Sequence, residues 1–173
     1  ALAKNANLGF YFNETYTEFD SATDAIKHFD LSYIGLDMFV ERGGNNQKKF
    51  ILKPKSEDYS PFELRHASSG IQTTAPLVAM VNYYAQAFDF KLAQKRSIID
   101  LLFEKNLTMQ YRPEMELADM PRYVHIHIEE PELSLDPTSQ IQLLNELVRL
   151  AFYAKVDDRQ IGLVLATHSP YIA

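Results

Sequence analysis

Between Tyr123 and Ala166 the sequence reads strand, helix, strand, and this succession constrains the fold more than any other feature of the chain. Tyr123 to Ile128 is rich in β-forming residues. Asp136 is placed to cap a helix whose first position is Pro137, a favoured start because proline's missing N–H would be unpaired there anyway. The spacing carries that helix to about Lys155, with Ile141, Leu144, Leu147, Val148 and Ala151 on one face. Ile161 to Ala166 is almost wholly apolar, the pattern of a strand buried on both faces. Strand, helix and strand in such short compass form a βαβ unit: segments 123–128 and 161–166 side by side and parallel, with helix 137–155 crossing between them. The expected fold class is therefore α/β, with parallel strands flanked by helices.

Residues 1–63 follow a different pattern and form an N-terminal α+β segment. Leu8 to Phe12 fits a short strand, and Ser21 to Phe29 a short helix with Ser21 as N-cap and Asp24 completing a loose capping box. Leu31 to Glu41 and Lys48 to Lys53 fit two strands around the turn Gly43-Gly44-Asn45-Asn46, a β-hairpin near 31–53. Pro54 to Pro61 is a connecting loop. The second part, 64–173, opens with a helical stretch from Ile71 to Phe90, in which Pro76 should end or kink the helix. A further helix is expected over Leu92 to Lys105, and irregular chain over Asn106 to Arg122.

At 173 residues the chain holds one domain, or one with a small appendage. Hydrophobic residues at 46% and charged residues at 23% exclude a disordered tail, a collagen-like fibre and a simple coiled coil. No apolar run reaches the roughly 18 residues of a membrane span, so no membrane partner is expected. The chain has no cysteine, which removes disulfides and Cys-based zinc sites. The missing initiator Met points to processing or to a piece of a longer chain. With no signal peptide in view, a cytoplasmic location is expected. A net charge of −6 disfavours non-specific nucleic-acid binding. Lys48, Lys49, Lys53 and Lys55 form the one basic cluster, and a solvated hairpin face explains it.

Three segments can carry chemistry. Strand 123–128 runs into Glu129-Glu130-Pro131-Glu132, placing two adjacent carboxylates at the carboxyl end of a parallel strand, where open α/β sheets bind ligands. On extended chain these two point in opposite directions, so one can hold a hydrated Mg2+ while the other turns to a water. The neighbouring strand ends in Thr167-His168-Ser169-Pro170, and His168 can donate to a phosphate oxygen. Ser68-Ser69-Gly70-Ile71-Gln72 opens a helix, whose unpaired N–H groups favour anions.

In this order the three segments resemble the C-terminal part of an ABC-type ATPase domain. Ser68-Ser69-Gly70-Ile71-Gln72 is similar to the signature motif, Ile126-His127-Ile128-Glu129-Glu130-Pro131-Glu132 to the Walker B strand with its catalytic acid, Leu133–Pro137 to the D-loop, and His168 to the switch histidine. Glu-Glu-Pro-Glu and Thr-His-Ser-Pro are closest to the RecF, SMC-like and OLD-family group of AAA-like ATPases. The resemblance covers about residues 64–173 and implies a P-loop NTPase fold. It implies Glu129 as the Mg2+ ligand, Glu130 as the group that polarises the attacking water, and His168 as the γ-phosphate sensor. Ser69, Gly70 and Gln72 would bind ATP held by a second copy in a nucleotide-dependent, head-to-tail homodimer. The implied setting is DNA repair, maintenance or defence, with DNA a further partner through other parts of the full-length protein.

Three departures stand beside the resemblance. No Gly-x-x-x-x-Gly-Lys-Ser/Thr occurs, so the phosphate-cradling Walker A loop is missing and this chain alone should be inactive. Glu129 stands where an Asp is usual. Residues 89–122 read as an insertion. Two rival readings follow from the residues: a zinc hydrolase using His125, His127 and Glu129 on one strand face, and an interaction domain that kept the ATPase fold without turnover.

Overall fold

The computed structural model describes residues 10–44, 47–107, 109, 122–156 and 158–172. The first described element is α1 (Phe10–Ala25), followed by the antiparallel strands β1 (His28–Leu31), β2 (Leu36–Arg42), β3 (Lys48–Pro54) and β4 (Phe62–Glu63), paired in that order. Helices α2 (Ser69–Gln86) and α3 (Phe90–Glu104) come next, then β5 (Tyr123–Glu129), α4 (Pro137–Val148) and β6 (Gln160–Ala166). Strands β5 and β6 pair in parallel, from Tyr123 opposite Gln160 to Glu129 opposite Ala166, and α4 crosses between them. The expected βαβ unit is thus present, and the protein is a mixed α/β structure with one antiparallel and one parallel sheet.

The N-terminal expectations need correction. The strand expected at Leu8–Phe12 is helical from Phe10 on, with residues 8 and 9 outside the described range. Ser21 does not cap a helix; it lies inside α1, and the expected helix 21–29 gives way to β1 at His28. Tertiary contacts decide this. Ala22 and Thr23 are fully buried, the Thr23 hydroxyl donates to the Phe19 carbonyl (2.9 Å), and Lys48 reaches Asp20 (2.7 Å) and Asp24 (3.1 Å) from β3. The expected strand 31–41 is split by a 3-10 turn over Ser32–Ile34, closed by Gly35 at φ 69°, where an L side chain would be strained. The β2–β3 hairpin forms as expected, although Asn45 and Asn46 of its turn lie outside the described residues. The basic cluster is largely occupied: Lys48 by acids of α1 as above, Lys55 by Asp30 (2.8 Å), and Lys53 over the Phe39 ring.

One apolar core joins both parts of the chain. Phe29, Leu31, Met38 and Leu52 from the antiparallel sheet meet Val78, Val81, Leu143, Leu147 and Ile128. Each large side chain fully withdrawn from water here contributes about 1.5–3 kcal/mol. That burial explains why α2 does not end at Pro76, which was expected to end or kink it. The missing N–H and ring clash cost about 3 kcal/mol, but Ala75, Val78, Ala79 and Val81 on both sides of the proline are anchored in the core.

Two further expectations shift at the C-terminus. The inner face of α4 is Leu143, Glu146 and Leu147, continued by Leu150, while Ile141 is exposed. The doublets Leu143-Leu144 and Leu147-Val148 support two overlapping stripes, and the ion pair of Glu146 with Arg149 (2.6 Å) lets a charged residue take an inward position. After Val148 the helix widens into a π-helical turn over Arg149–Tyr153. Strand β6 is not buried on both faces: Ile161 is buried, but Val164 remains 46% exposed. Helices cover one side of the two-stranded sheet, and its other side carries Tyr123, His125 and His127, all exposed. The expected helix 92–105 is α3, and the expected irregular stretch 106–122 lies mostly outside the described residues.

Candidate functional site

The parallel register brings the ends of β5 and β6 together. Glu129 is the last residue of β5, opposite Ala166, and is exposed. The next residue, Glu130, donates its N–H to the Ala166 carbonyl (2.8 Å) and then turns into the left-handed region at φ 47°. The two acids therefore diverge through a backbone turn and not through simple strand alternation. Glu130 Oε1 lies 3.6 Å from His168 Nε2 on the loop after β6. The His168 side chain is 88% exposed, so both groups can reach a ligand.

Glu132 holds this arrangement. Its Oε1 accepts from the Thr167 hydroxyl (2.7 Å), the His168 N–H (2.8 Å) and the Ser169 N–H (3.1 Å). Burial pushes the Glu132 carboxyl up, but the Thr167 hydroxyl and the backbone N–H groups of Glu132, His168 and Ser169 outweigh it and hold the carboxyl below its ordinary value. Gln140 of α4 adds a second tie, donating to the Leu135 carbonyl (2.9 Å) and accepting from the Ser169 hydroxyl. Asp136 caps α4 as expected, accepting from the N–H groups of Thr138 and Ser139; those bonds and the Ser139 hydroxyl lower its pKa, the hydroxyl most. Sequence reasoning gave Glu132 and Gln140 no role. The available signal was three acids within four residues around Pro131, more than a solvated turn requires.

The segment Ser68–Gln72 opens α2 as expected, with Ser68 as N-cap accepting from the Ile71 N–H (3.4 Å). Ser69 is exposed. Gly70 is buried, and a Cβ placed on it would stand 2.7 Å from the Ser134 carbonyl oxygen and from the Leu135 side chain. Its absent side chain thus lets α2 touch the loop that follows β5. Gln72 turns back to donate to the Ala67 (2.8 Å) and Arg65 (3.2 Å) carbonyls. A chain of hydroxyls supports the same turn: Tyr33 donates to Thr74 (3.1 Å), which donates to the Gly70 carbonyl (2.9 Å). Burial drives the Tyr33 pKa up to about 12 despite that bond. Ser68 and Ile71 line a cleft of about 510 Å³ with Ser134, Asp136 and the Ser32–Gly35 turn. The structure therefore brings Glu130 and His168 together and sets Gly70 against the Ser134–Leu135 loop, while Gln72 is turned to Arg65 and Ala67.

No family model matches the sequence, and no curated protein matches it.

The exposed carboxylate of Glu129 at the strand edge is the kind of oxygen donor a hard, largely hydrated cation takes. Among the described residues no group of three or more His, Asp or Glu side chains is placed to hold a metal ion. A Mg2+ here would need oxygen ligands from water or from a substrate. The zinc alternative at His125, His127 and Glu129 fails the same test, and the Tyr123 hydroxyl already engages His125 Nε2. Among the described residues no helix is long and apolar enough to cross a membrane.

Proposed function

We propose that the chain is the C-terminal part of an ABC-type ATPase domain acting in nucleotide hydrolysis. Glu129 supplies a Mg2+ ligand, Glu130 orients the attacking water, and His168 contacts the γ-phosphate. Ser69 and the turn around it meet nucleotide on a second copy of the whole ATPase domain. The observation that carries this reading is the approach of Glu130 to His168 at the adjoining ends of two parallel strands, 3.6 Å apart. Phosphoryl transfer to water depends mainly on positioning and on charge placed against the transferring oxygens. Glu130 accepts a proton from water lined up at its exposed carboxylate. Glu132 fixes the backbone from which His168 projects. Mg2+, when bound, neutralises charge on the phosphates.

The reading requires the phosphate cradle to come from outside these 173 residues, because no Gly-x-x-x-x-Gly-Lys-Ser/Thr lies within them. That same gap supports the second reading, an interaction domain that kept the fold without turnover. Two-dimensional NMR of the chain with Mg-ATP separates them. The ATPase reading expects weak binding, about millimolar, with shifts concentrated on the amides of Glu129, Glu130 and His168 and abolished by Glu129→Gln combined with Glu130→Gln. Shifts located elsewhere, or unaltered by the double substitution, would remove Glu129 and Glu130 from the nucleotide site.

A further inference from the structure

Helix α3 is the segment that neither the core nor the candidate site uses. Among its described residues Phe90 alone is buried, held edge-on to Phe88 and beneath Arg159. Beyond that anchor, Leu92, Ile99, Leu101 and Phe103 are exposed, Phe103 by 67%. Leu92, Ile99 and Phe103 stand at i, i+7 and i+11 and so fall within about 40° of one another around the helix. Three large apolar side chains on one exposed stripe need a cover that the described residues do not supply.

The charges say what kind of cover fits. Lys91, Lys95 and Arg96 occupy the N-terminal half of α3, while Asp100 and Glu104 occupy the C-terminal half. This is the reverse of what the helix dipole favours within one helix. An antiparallel copy of the same helix corrects it, since each basic half then lies beside an acidic one. The pattern is also self-complementary, as a two-fold interface requires. An axis crossing between Ser97 and Ile98 sets Leu92 against Phe103 of the second copy. The same axis brings Arg96 within one residue's rise, about 1.5 Å along the axis, of Asp100 of the second copy on the same flank, twice over by symmetry.

We propose that α3 is a self-association surface through which two copies of this chain pair antiparallel, without nucleotide. The inference is independent of the ATPase reading. The contact is small, so the dimer is weak, in the micromolar to submillimolar range. Sedimentation equilibrium of the whole chain, without ATP or Mg2+, tests it. A monomer–dimer equilibrium is expected. Phe103→Asp should raise the dissociation constant at least about tenfold, the effect of removing a central apolar anchor, with circular dichroism and melting unchanged because the side chain is exposed. Leu92→Asp should do the same. Asp100→Arg should weaken the dimer, and adding Arg96→Asp should restore it, since the ion pairs are then rebuilt with reversed sign. A chain that stays monomeric at every concentration overturns the proposal. So does a dimer indifferent to Phe103→Asp and Leu92→Asp, or one that forms only with Mg-ATP.

Discussion

Replacing Glu132 tests the claim that one carboxylate oxygen organises the loop bearing His168. Three donors converge on Oε1. Hydrogen bonds to an ionised acceptor contribute about 1.5–3 kcal/mol, against about 0.5–1.5 for neutral pairs. Glu132→Gln keeps the acceptor and removes the charge, a difference of at least about 1 kcal/mol per bond before screening. The three bonds share one atom and water reaches the loop, so about half survives, roughly 1.5 kcal/mol in all. That corresponds to roughly tenfold in a local opening equilibrium. Amide hydrogen exchange reads it directly. In Glu132→Ala the His168 amide loses the acceptor it has here and should exchange at least about tenfold faster. The Ser169 amide keeps a second acceptor, the Thr167 hydroxyl at 2.9 Å, and should change less. The pH dependence has a fixed sign. Because the folded carboxyl lies below its ordinary value of 4.5, its stabilisation is present above that value and is lost as pH falls through the folded pKa. Acid melts of the parent should decline in that window more steeply than those of Glu132→Gln. Equal exchange of His168 in parent and Glu132→Ala would refute the reasoning.

Gly70→Ala should destabilise the protein by about 1–3 kcal/mol in urea titration, because the new methyl meets a backbone carbonyl that cannot withdraw easily; an unchanged midpoint would show that loop 134–135 yields freely. Tyr33 resists ionisation up to about 12, so its contribution is intact below the ordinary value of 10.0 and is lost as pH rises toward 12. Tyr33→Phe should flatten the alkaline melting profile in that window, and a profile identical to the parent would place the alkaline sensitivity elsewhere. Pro76→Ala should raise stability by about 1–3 kcal/mol, since an alanine N–H can bond within α2; a loss of stability would mean the proline ring is needed for packing.

Much of the fold was legible where local signals and burial agree. Asp136-Pro137 marked the start of α4, and the apolar run 161–166 marked a strand parallel to 123–128. The miss at Ser21 came from a local cap signal that lost to tertiary contacts, namely Lys48 gripping Asp20 and Asp24. Pro76 does not end α2 for the same reason in reverse, because a single-residue penalty was outweighed by a buried helix face. Within the candidate site, the proximity of Glu130 and His168 followed from parallel pairing. The left-handed turn at Glu130 did not, since alternation along a strand cannot foresee where the strand stops being extended. Glu132 escaped notice because its role depends on donors 35 to 37 residues away.

The left-handed backbone at Glu130 sets two selective pressures against each other. A non-glycine residue there carries roughly 1–3 kcal/mol of strain that glycine would relieve and asparagine would reduce. In a saturation library at this position, sorting for thermal stability alone should enrich Gly and Asn. Under the proposed function, sorting for Mg-ATP binding should hold Glu at the expense of stability. The divergence between the two enriched populations then measures how much stability the proposed nucleotide site gives up to keep this carboxylate.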